Sequence, residues 1–375
     1  TLVFGSHATF MPTYTLAHKG VDFIIQFEPE LVIKDFCRKF FNDDRYAVNG
    51  LGYKNLQGQI VINPQYPFIE NLDDLPIIDL NFLPKNVDYF NPIVRRMPYM
   101  SVSTSRGCPG KCIFCTAPSF DGHRVRFQSA DYVLNMIKTF KDFGIREIYF
   151  RDDTFFVNKE REYNIFKQLI DNSMDISWIA NARIGMIDYE IMEMAKRAGC
   201  HTIKFGIESG NQKVLNQIKK GYRIEQAYRV FEWTHSLGLN THAHVMIGNP
   251  GDTLQTVEET IDFVKKLDPT TATFGVCTPY PGTPLFEEVA KIHPQICDGS
   301  ASDLSRLHID GFYNHLYCDL KREDLKKLVQ KAYRKFYLRP NFLFQFARNQ
   351  MNSVEDVKRI ILSGTRVLDF MFRGV

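Results

Sequence analysis

An α/β fold with a partial (β/α)6 barrel core is predicted by three observations. Between Tyr99 and Pro284, apolar runs of strand length alternate regularly with amphipathic stretches of helix length. Six strands joined by helices require parallel pairing and right-handed crossovers, which leaves a partial barrel or an open doubly wound sheet. The residues of unusual chemistry fall at the C-terminal ends of those strands, where barrel folds carry their sites. Part of a doubly wound α/β domain is expected before this core, and a helical region after it. The expected boundaries are 1–48 for the partial domain, 49–98 for a linker, 99–285 for the barrel and 286–375 for the helical region.

In chain order, Leu2–Phe4 reads as a buried strand, Gly5–Thr9 as a loop, Val21–Ile25 as a second strand and Leu31–Phe41 as a helix. A strand–loop–strand–helix fragment cannot close a sheet alone. The chain also opens on Thr1, directly into a strand, so residues are expected to be missing upstream. Residues 49–98 contain a hairpin signal (Gly50–Tyr53, then Gln59–Ile62). Unperiodic sequence with Pro64, Pro67, Pro76, Pro84 and Pro92 follows, the composition of an ordered linker.

The core strands are expected at Ser101–Ser105, Glu147–Arg151, Ser177–Arg183, Thr202–Glu208, Thr241–Gly248 and Thr273–Pro279. The helices between them are Ala130–Phe143, Lys159–Asn172, Tyr189–Ala198, Ile224–Leu237 and Thr253–Leu267. Beyond Pro284, Arg322–Tyr337 is an amphipathic helix with a basic polar face, followed by helices at Asn341–Met351 and Val354–Leu362. Such a basic face is normally solvated surface, which argues against a nucleic-acid partner.

The bulk properties fit a globular protein of two or three domains: 375 residues, 44% hydrophobic and 24% charged. A formal charge of +3 implies no polyanion partner. The 31 Phe and 17 Tyr are spread along the chain, as core and pocket walls would be. Of eight cysteines only three cluster, which suits a reducing compartment, and cytoplasm is the expected location. No apolar run of about 20 residues predicts a membrane span, and no signal peptide is visible.

The clustered cysteines form Cys108-Pro-Gly-Lys-Cys112-Ile-Phe-Cys115. Three thiols at C-x3-C-x2-C can close around one inorganic cluster. Iron–sulfur clusters normally take four thiolates, so three leave one iron open, a sign of catalysis rather than electron storage. The competing reading is a structural Cys3His zinc knuckle with His123 as fourth ligand, in a module that binds RNA or a protein.

The strand ends supply further candidates. Asp152 and Asp153 either hold a cationic amine or hydroxyl or cap the next helix. Arg183 sets a permanently charged fork at the barrel mouth, for a carboxylate ligand or for Asp188. Glu208, in Gly206-Ile-Glu-Ser-Gly210, follows an apolar strand and needs a ligand or an ion-pair partner; the glycines would admit a ligand close to the backbone. Met246 and Ile247, before Gly248-Asn-Pro-Gly251, are placed to pack on a flat ring, and Tyr280 lies in a rigid Pro-rich turn.

Together these stretches resemble the radical S-adenosylmethionine (SAM) superfamily over about residues 99–285, through C-x3-C-x2-C with Phe114 before the last cysteine. Ser105-Arg-Gly-Cys-Pro109, the Asp152–Phe155 turn, Gly206–Gly210, Pro279–Thr283 and Tyr333–Pro340 are similar to its cobalamin-binding branch. The resemblance implies that Cys108, Cys112 and Cys115 hold a [4Fe–4S] cluster whose open iron binds SAM, and that Phe114, Met246 and Gly248 border the adenine. It implies that Asp152 or Asp153, Arg183 and Glu208 contact the methionine and ribose parts. The expected reaction is reductive SAM cleavage and hydrogen abstraction from a small-molecule substrate, with flavodoxin or ferredoxin as electron donor. Methyl transfer with cobalamin is the leading outcome and oxidative cyclisation the alternative. Gly5–Thr9 resembles a loop of the cobalamin domain. The cobalt-ligand motif Asp-x-His-x-x-Gly does not occur here, however, and the family's Gly-Glu-Gly-Glu turn stands as Phe27-Glu-Pro-Glu30.

Overall fold

Six parallel strands carry the core of the larger of two units. The computed structural model describes residues 1–84, 87, 89, 91–298, 313–350 and 354–373. The six strands are Tyr99–Val102, Glu147–Phe150, Ser177–Ala182, Cys200–Glu208, Asn240–Ile247 and Thr271–Val276. Each lies beside its neighbours in sequence, from the first strand at one edge to the sixth at the other, and every pairing is parallel. A doubly wound sheet reverses its strand order at a switch point. This order never reverses and is that of a partial barrel. The sixth strand ends at Val276, short of the expected Pro279, which has no N–H to give a ladder.

The larger unit comprises Asp73–Ser105, Phe127–Cys277 and the described residues from 313 onward. Four of its helices begin where a short polar side chain can satisfy a free N–H. Ser129, Asn158, Asp188 and Thr253 accept from the N–H three residues on, at the starts of Ala130–Asp142, Lys159–Asp171, Tyr189–Arg197 and Leu254–Leu267. Each such cap is worth about 1 kcal/mol. Strand alternation turns one face of the sheet to these helices. There Trp178 is fully buried, stacks on Phe166 and meets Phe150 edge-on, while its indole N–H reaches the Ala198 carbonyl at 2.8 Å. Further along this face Phe205 packs on Phe231, and Phe274 on Tyr333 and Phe336. Burying each aromatic contributes up to about 3 kcal/mol.

Arg322–Tyr337 lies where expected, burying Leu325, Leu328, Val329, Ala332 and Phe336. Lys331 and Lys335 of its basic face pair with Glu258 on the neighbouring helix, so that face serves internal contacts. The last helix runs over Val354–Arg373, past the expected Leu362. The hydroxyls of Ser363 and Thr365 bond back to carbonyls a turn earlier, and the helix continues through Gly364. Among the described residues no helix is long and apolar enough to cross a membrane.

The smaller unit comprises Thr1–Leu72, Arg106–Arg126 and the described residues from Thr278 to 298. Its sheet has four strands in sequence order: Leu2–Phe4, Phe23–Ile25, Leu51–Lys54 and Ile60–Ile62. The first pair is parallel and the others antiparallel. The hairpin therefore completes the sheet that the first strands could not close. The expected loop Gly5–Thr9 is instead helical, over Ser6–Phe10, with Pro12–Ala17 next. Both the N–H and the hydroxyl of Thr9 return to the Gly5 carbonyl at 3.0 Å, local bonds that an apolar pattern does not reveal. The helix expected at Leu31–Phe41 is Pro29–Lys39, begun by the proline whose missing N–H costs nothing there.

Candidate active site

The cysteine loop belongs to the smaller unit, and the residues on either side of it are fixed by two carboxylates. Arg106, two positions before Cys108, donates to Glu30 at 2.5 and 3.2 Å. Arg126, beyond the loop, donates to Glu28 Oε2 at 3.1 Å and to the Ile69 and Asp121 carbonyls. Glu28 Oε1 lies 3.0 Å from Arg106 and 2.8 Å from Arg126, as ion-pair contacts outside hydrogen-bond geometry. Glu28 thus faces both guanidinium groups that bracket the thiols, and it also accepts from the Ile69 N–H at 2.7 Å.

Gly107 has φ +98°, and a Cβ there would stand 2.6 Å from the Arg124 carbonyl oxygen. Only glycine lets the chain enter the loop this way. The Cys108 N–H then donates to the Gly122 carbonyl at 3.1 Å, and the Ile113 carbonyl accepts from Leu285. Cys108 and Cys112 are buried, while Phe114 and Cys115 are half-buried.

The strand-end residues lie in the larger unit. Asp152 is 1% exposed. Its Oδ1 accepts from the Thr104 N–H at 3.1 Å, from the Thr104 hydroxyl at 2.9 Å and from Ser105. Oδ2 has no hydrogen-bond partner among the described residues. Burial pushes this carboxyl above the ordinary range against those bonds. Asp153 is exposed. Neither aspartate caps the next helix, because that role falls to Asn158.

Arg183 is not paired with Asp188, which caps Tyr189–Arg197 and binds Lys159. It donates to the Lys220 carbonyl at 2.7 Å. The same Lys220 gives its ammonium to Glu208 at 2.7 Å. The structure therefore brings Arg183 and Glu208 together through Lys220, a residue that sequence reasoning missed. Glu208 is buried, has φ +62° and sits at a register shift of the fourth strand. A left-handed non-glycine residue costs about 1–3 kcal/mol and persists where its surroundings over-determine it, commonly at functional sites.

The glycines near these residues are closely packed against neighbouring side chains and backbone. A Cβ on Gly206 would strike the Glu208–Lys220 pair, and one on Gly210 would meet Thr260 and Phe263 of Leu254–Leu267. Gly248 lies under Asn314 and Leu325, and Asn314 donates to the Gly248 and Cys277 carbonyls at 2.9 Å each. Met246 is half-buried, but Ile247 is fully buried on the helix side, so only Met246 can meet a ring.

Comparison with known proteins bears on what this arrangement is. The family profile of the radical SAM superfamily matches residues 102–264. An uncharacterized methyltransferase of Pyrococcus horikoshii is 34% identical over 349 residues, covering 91% of this chain and 73% of that protein. The chain belongs to the radical SAM superfamily. It is a radical SAM enzyme, and this class uses a [4Fe–4S] cluster and SAM.

An anaerobic magnesium-protoporphyrin IX monomethyl ester cyclase of Rubrivivax gelatinosus is 25% identical, over 92% of this chain and 61% of its own length. Among solved structures, the radical SAM methyltransferase TsrM from Kitasatospora setae superposes with a TM-score of 0.65 at 19% identity. It covers 78% of this chain and 58% of its own. The cobalamin-dependent OxsB gives 0.59 at 18%, covering 80% and 43%. At these identities the two structures establish the shared fold.

Radical SAM membership removes the zinc-knuckle alternative. His123 is exposed. A [4Fe–4S] cluster gives each thiolate its own iron, and an all-thiol donor set suits it.

Proposed function

We propose that this chain is the cobalamin-type radical SAM enzyme that its sequence resembles. In this reading Cys108, Cys112 and Cys115 hold the cluster, and a small organic substrate is methylated. The observation that carries it is the three-thiol loop, bracketed by Arg106 and Arg126 and fixed by Glu28. When bound, the cluster supplies the electron for reductive cleavage of SAM and so for hydrogen abstraction from a substrate carbon. The chain's own residues bind and orient. Asp152 presents a buried oxygen, without a hydrogen-bond partner among the described residues, that suits the amine of SAM. Arg183 supplies a fixed cation for its carboxylate, Glu208 and Asp153 lie within the ribose and methionine assignment, and Phe114 and Met246 offer apolar surface to adenine. A flavodoxin or ferredoxin would deliver the electron.

Methyl transfer is favoured by the Pyrococcus relative, which matches nearly the whole chain. The Rubrivivax cyclase, matched over a similar span at lower identity, supports oxidative cyclisation as the second reading. Cobalamin enters from TsrM and OxsB, whose structures hold it. The turn Phe27–Glu30 does not offer it a cradle. Phe27 packs among Phe10, Phe68 and Phe120, and Glu28 and Glu30 are taken by arginines. Other residues would have to hold the corrin.

The test is anaerobic reconstitution with iron, sulfide and a reductant. The wild type should bind iron and sulfide and release 5′-deoxyadenosine from SAM, and Cys112→Ala should do neither. A Cys112→Ala protein that retains both contradicts the assignment.

A further inference from the structure

The face of the six-stranded sheet turned away from the helices is polar where barrel interiors are normally filled by branched apolar side chains. Lys204 lies opposite Asn181 of the third strand and His242 of the fifth. His244 lies opposite Gly206 and Thr273. Lys204 is only 8% exposed, and among the described residues its ammonium has no carboxylate partner. Its hydrogen bond goes to the Tyr149 hydroxyl at 2.5 Å. Arg151 approaches the same hydroxyl at 3.4 Å. Both cations also stand over the Tyr149 ring, at 5.1 and 5.0 Å from its centroid.

The acids of this face are already engaged. Glu208 holds Lys220, and Glu147 takes His201 and the N–H groups of Arg95 and Arg96. The surplus of positive charge shows on His244, which burial and then Lys204, Lys220 and Arg151 push down to about 3. Burial, and then His244 and Lys204, push His242 well below its ordinary value, and it bonds Thr271 and Thr273. A buried cation without a counter-ion is costly to keep, and intramolecular packing here gives no reason for it. Arg151 and Thr273 are exposed, so solvent and solutes reach this face.

We propose that Lys204 and Arg151, joined by Tyr149, bind an oxyanion, a carboxylate or phosphate group, carried by the substrate. This rests on the radical SAM reading for the word substrate, while the anion site stands on the geometry alone. Lys204 is four residues before Glu208, roughly 13 Å along the strand. The anion would anchor one end of the substrate well below the Arg183–Lys220–Glu208 group.

The test uses the full chain, inorganic phosphate and acetate as probes, and Lys204→Met, which keeps the shape and removes the charge. Phosphate should raise the melting temperature of the wild type, less so as salt is added. Without phosphate, Lys204→Met should melt at or above the wild-type temperature. It should bind phosphate at least about tenfold more weakly, the loss expected for one charged hydrogen bond. Arg151→Gln, at an exposed position, carries the same affinity expectation should Lys204→Met fail to fold. A phosphate response that survives in either variant, or a Lys204→Met protein destabilised without any ligand, overturns the proposal. Reconstituted Lys204→Met should still bind SAM. Loss of SAM binding would assign the anion to SAM's own carboxylate and overturn the substrate assignment. Failure of the wild type to cleave SAM would count against the radical SAM reading and leave the phosphate result to decide the anion site.

Discussion

Replacing Glu28 by Gln isolates what holds the cysteine loop. The amide keeps the shape and can still accept from the Ile69 N–H, but it removes the charge that faces Arg106 and Arg126. Removing one partner of a buried ion pair costs about 3–5 kcal/mol, because the other charge is left uncompensated. Arg106 retains Glu30, whereas Arg126, with a side chain 4% exposed, retains two backbone carbonyls and the face of Phe68 but no carboxylate among the described residues. The lower end, about 3 kcal/mol, is therefore expected. For a unit of this size that is a fall of about 10 °C in its melting transition.

Because both guanidiniums bracket Cys108–Cys115, the loop should also loosen its hold on a cluster. Calorimetry of the apo chain measures the first effect, and the rate of iron release to a chelator from reconstituted protein measures the second. An unmoved transition together with wild-type iron release refutes the argument that Glu28 sets the loop.

Two further substitutions test the surroundings of the strand ends. Gly210→Ala would place a Cβ 2.5 Å from Phe263 Cβ and 2.8 Å from Thr260 Cα, forcing strand and helix apart. A loss of about 2–3 kcal/mol in urea unfolding is expected, and a change under about 0.5 kcal/mol would show that the helix yields freely. Burial pushes Glu162 up to about 8 from an ordinary value of 4.5. Its stabilising contribution is present below 4.5 and lost as the pH rises to 8, at up to about 1.4 kcal/mol per pH unit. Glu162→Gln should flatten the stability profile over that window, and parallel profiles for the two proteins would contradict the shift.

The barrel was legible in the sequence because its signals are local and periodic. Phe150, Trp178, Phe205 and Phe274 each stand in a run of strand length between helical stripes, and short polar residues mark four of the helix starts. The cysteine loop was legible from spacing alone. The strand-end chemistry was legible by residue type but not by partner. Lys220 follows Glu208 across a short helix, Gln212–Gln217, and nothing periodic joins them. Gly206 and Gly210 read as ligand-facing because the sequence cannot say which neighbour fills the missing Cβ. The polar inner face did leave a trace, in the alternation Thr241-His-Ala-His244 and in Lys204 between Ile203 and Phe205. Its meaning appears only when the strands are set side by side.

The unreversed order of the six strands has a consequence for synthesis. Each strand pairs with the one made just before it, so the sheet can grow in the direction in which the chain emerges, by contacts of short sequence separation. The smaller unit is assembled otherwise, since the segment beginning at Thr278 returns to complete it. Only when Leu285 has been made can its N–H meet the Ile113 carbonyl, between Cys112 and Cys115, and only then can Gly282 seat against Phe10. The thiols therefore acquire their last supports after every strand of the sheet has been synthesised, so the metal centre proposed for them need not be completed on a half-made chain.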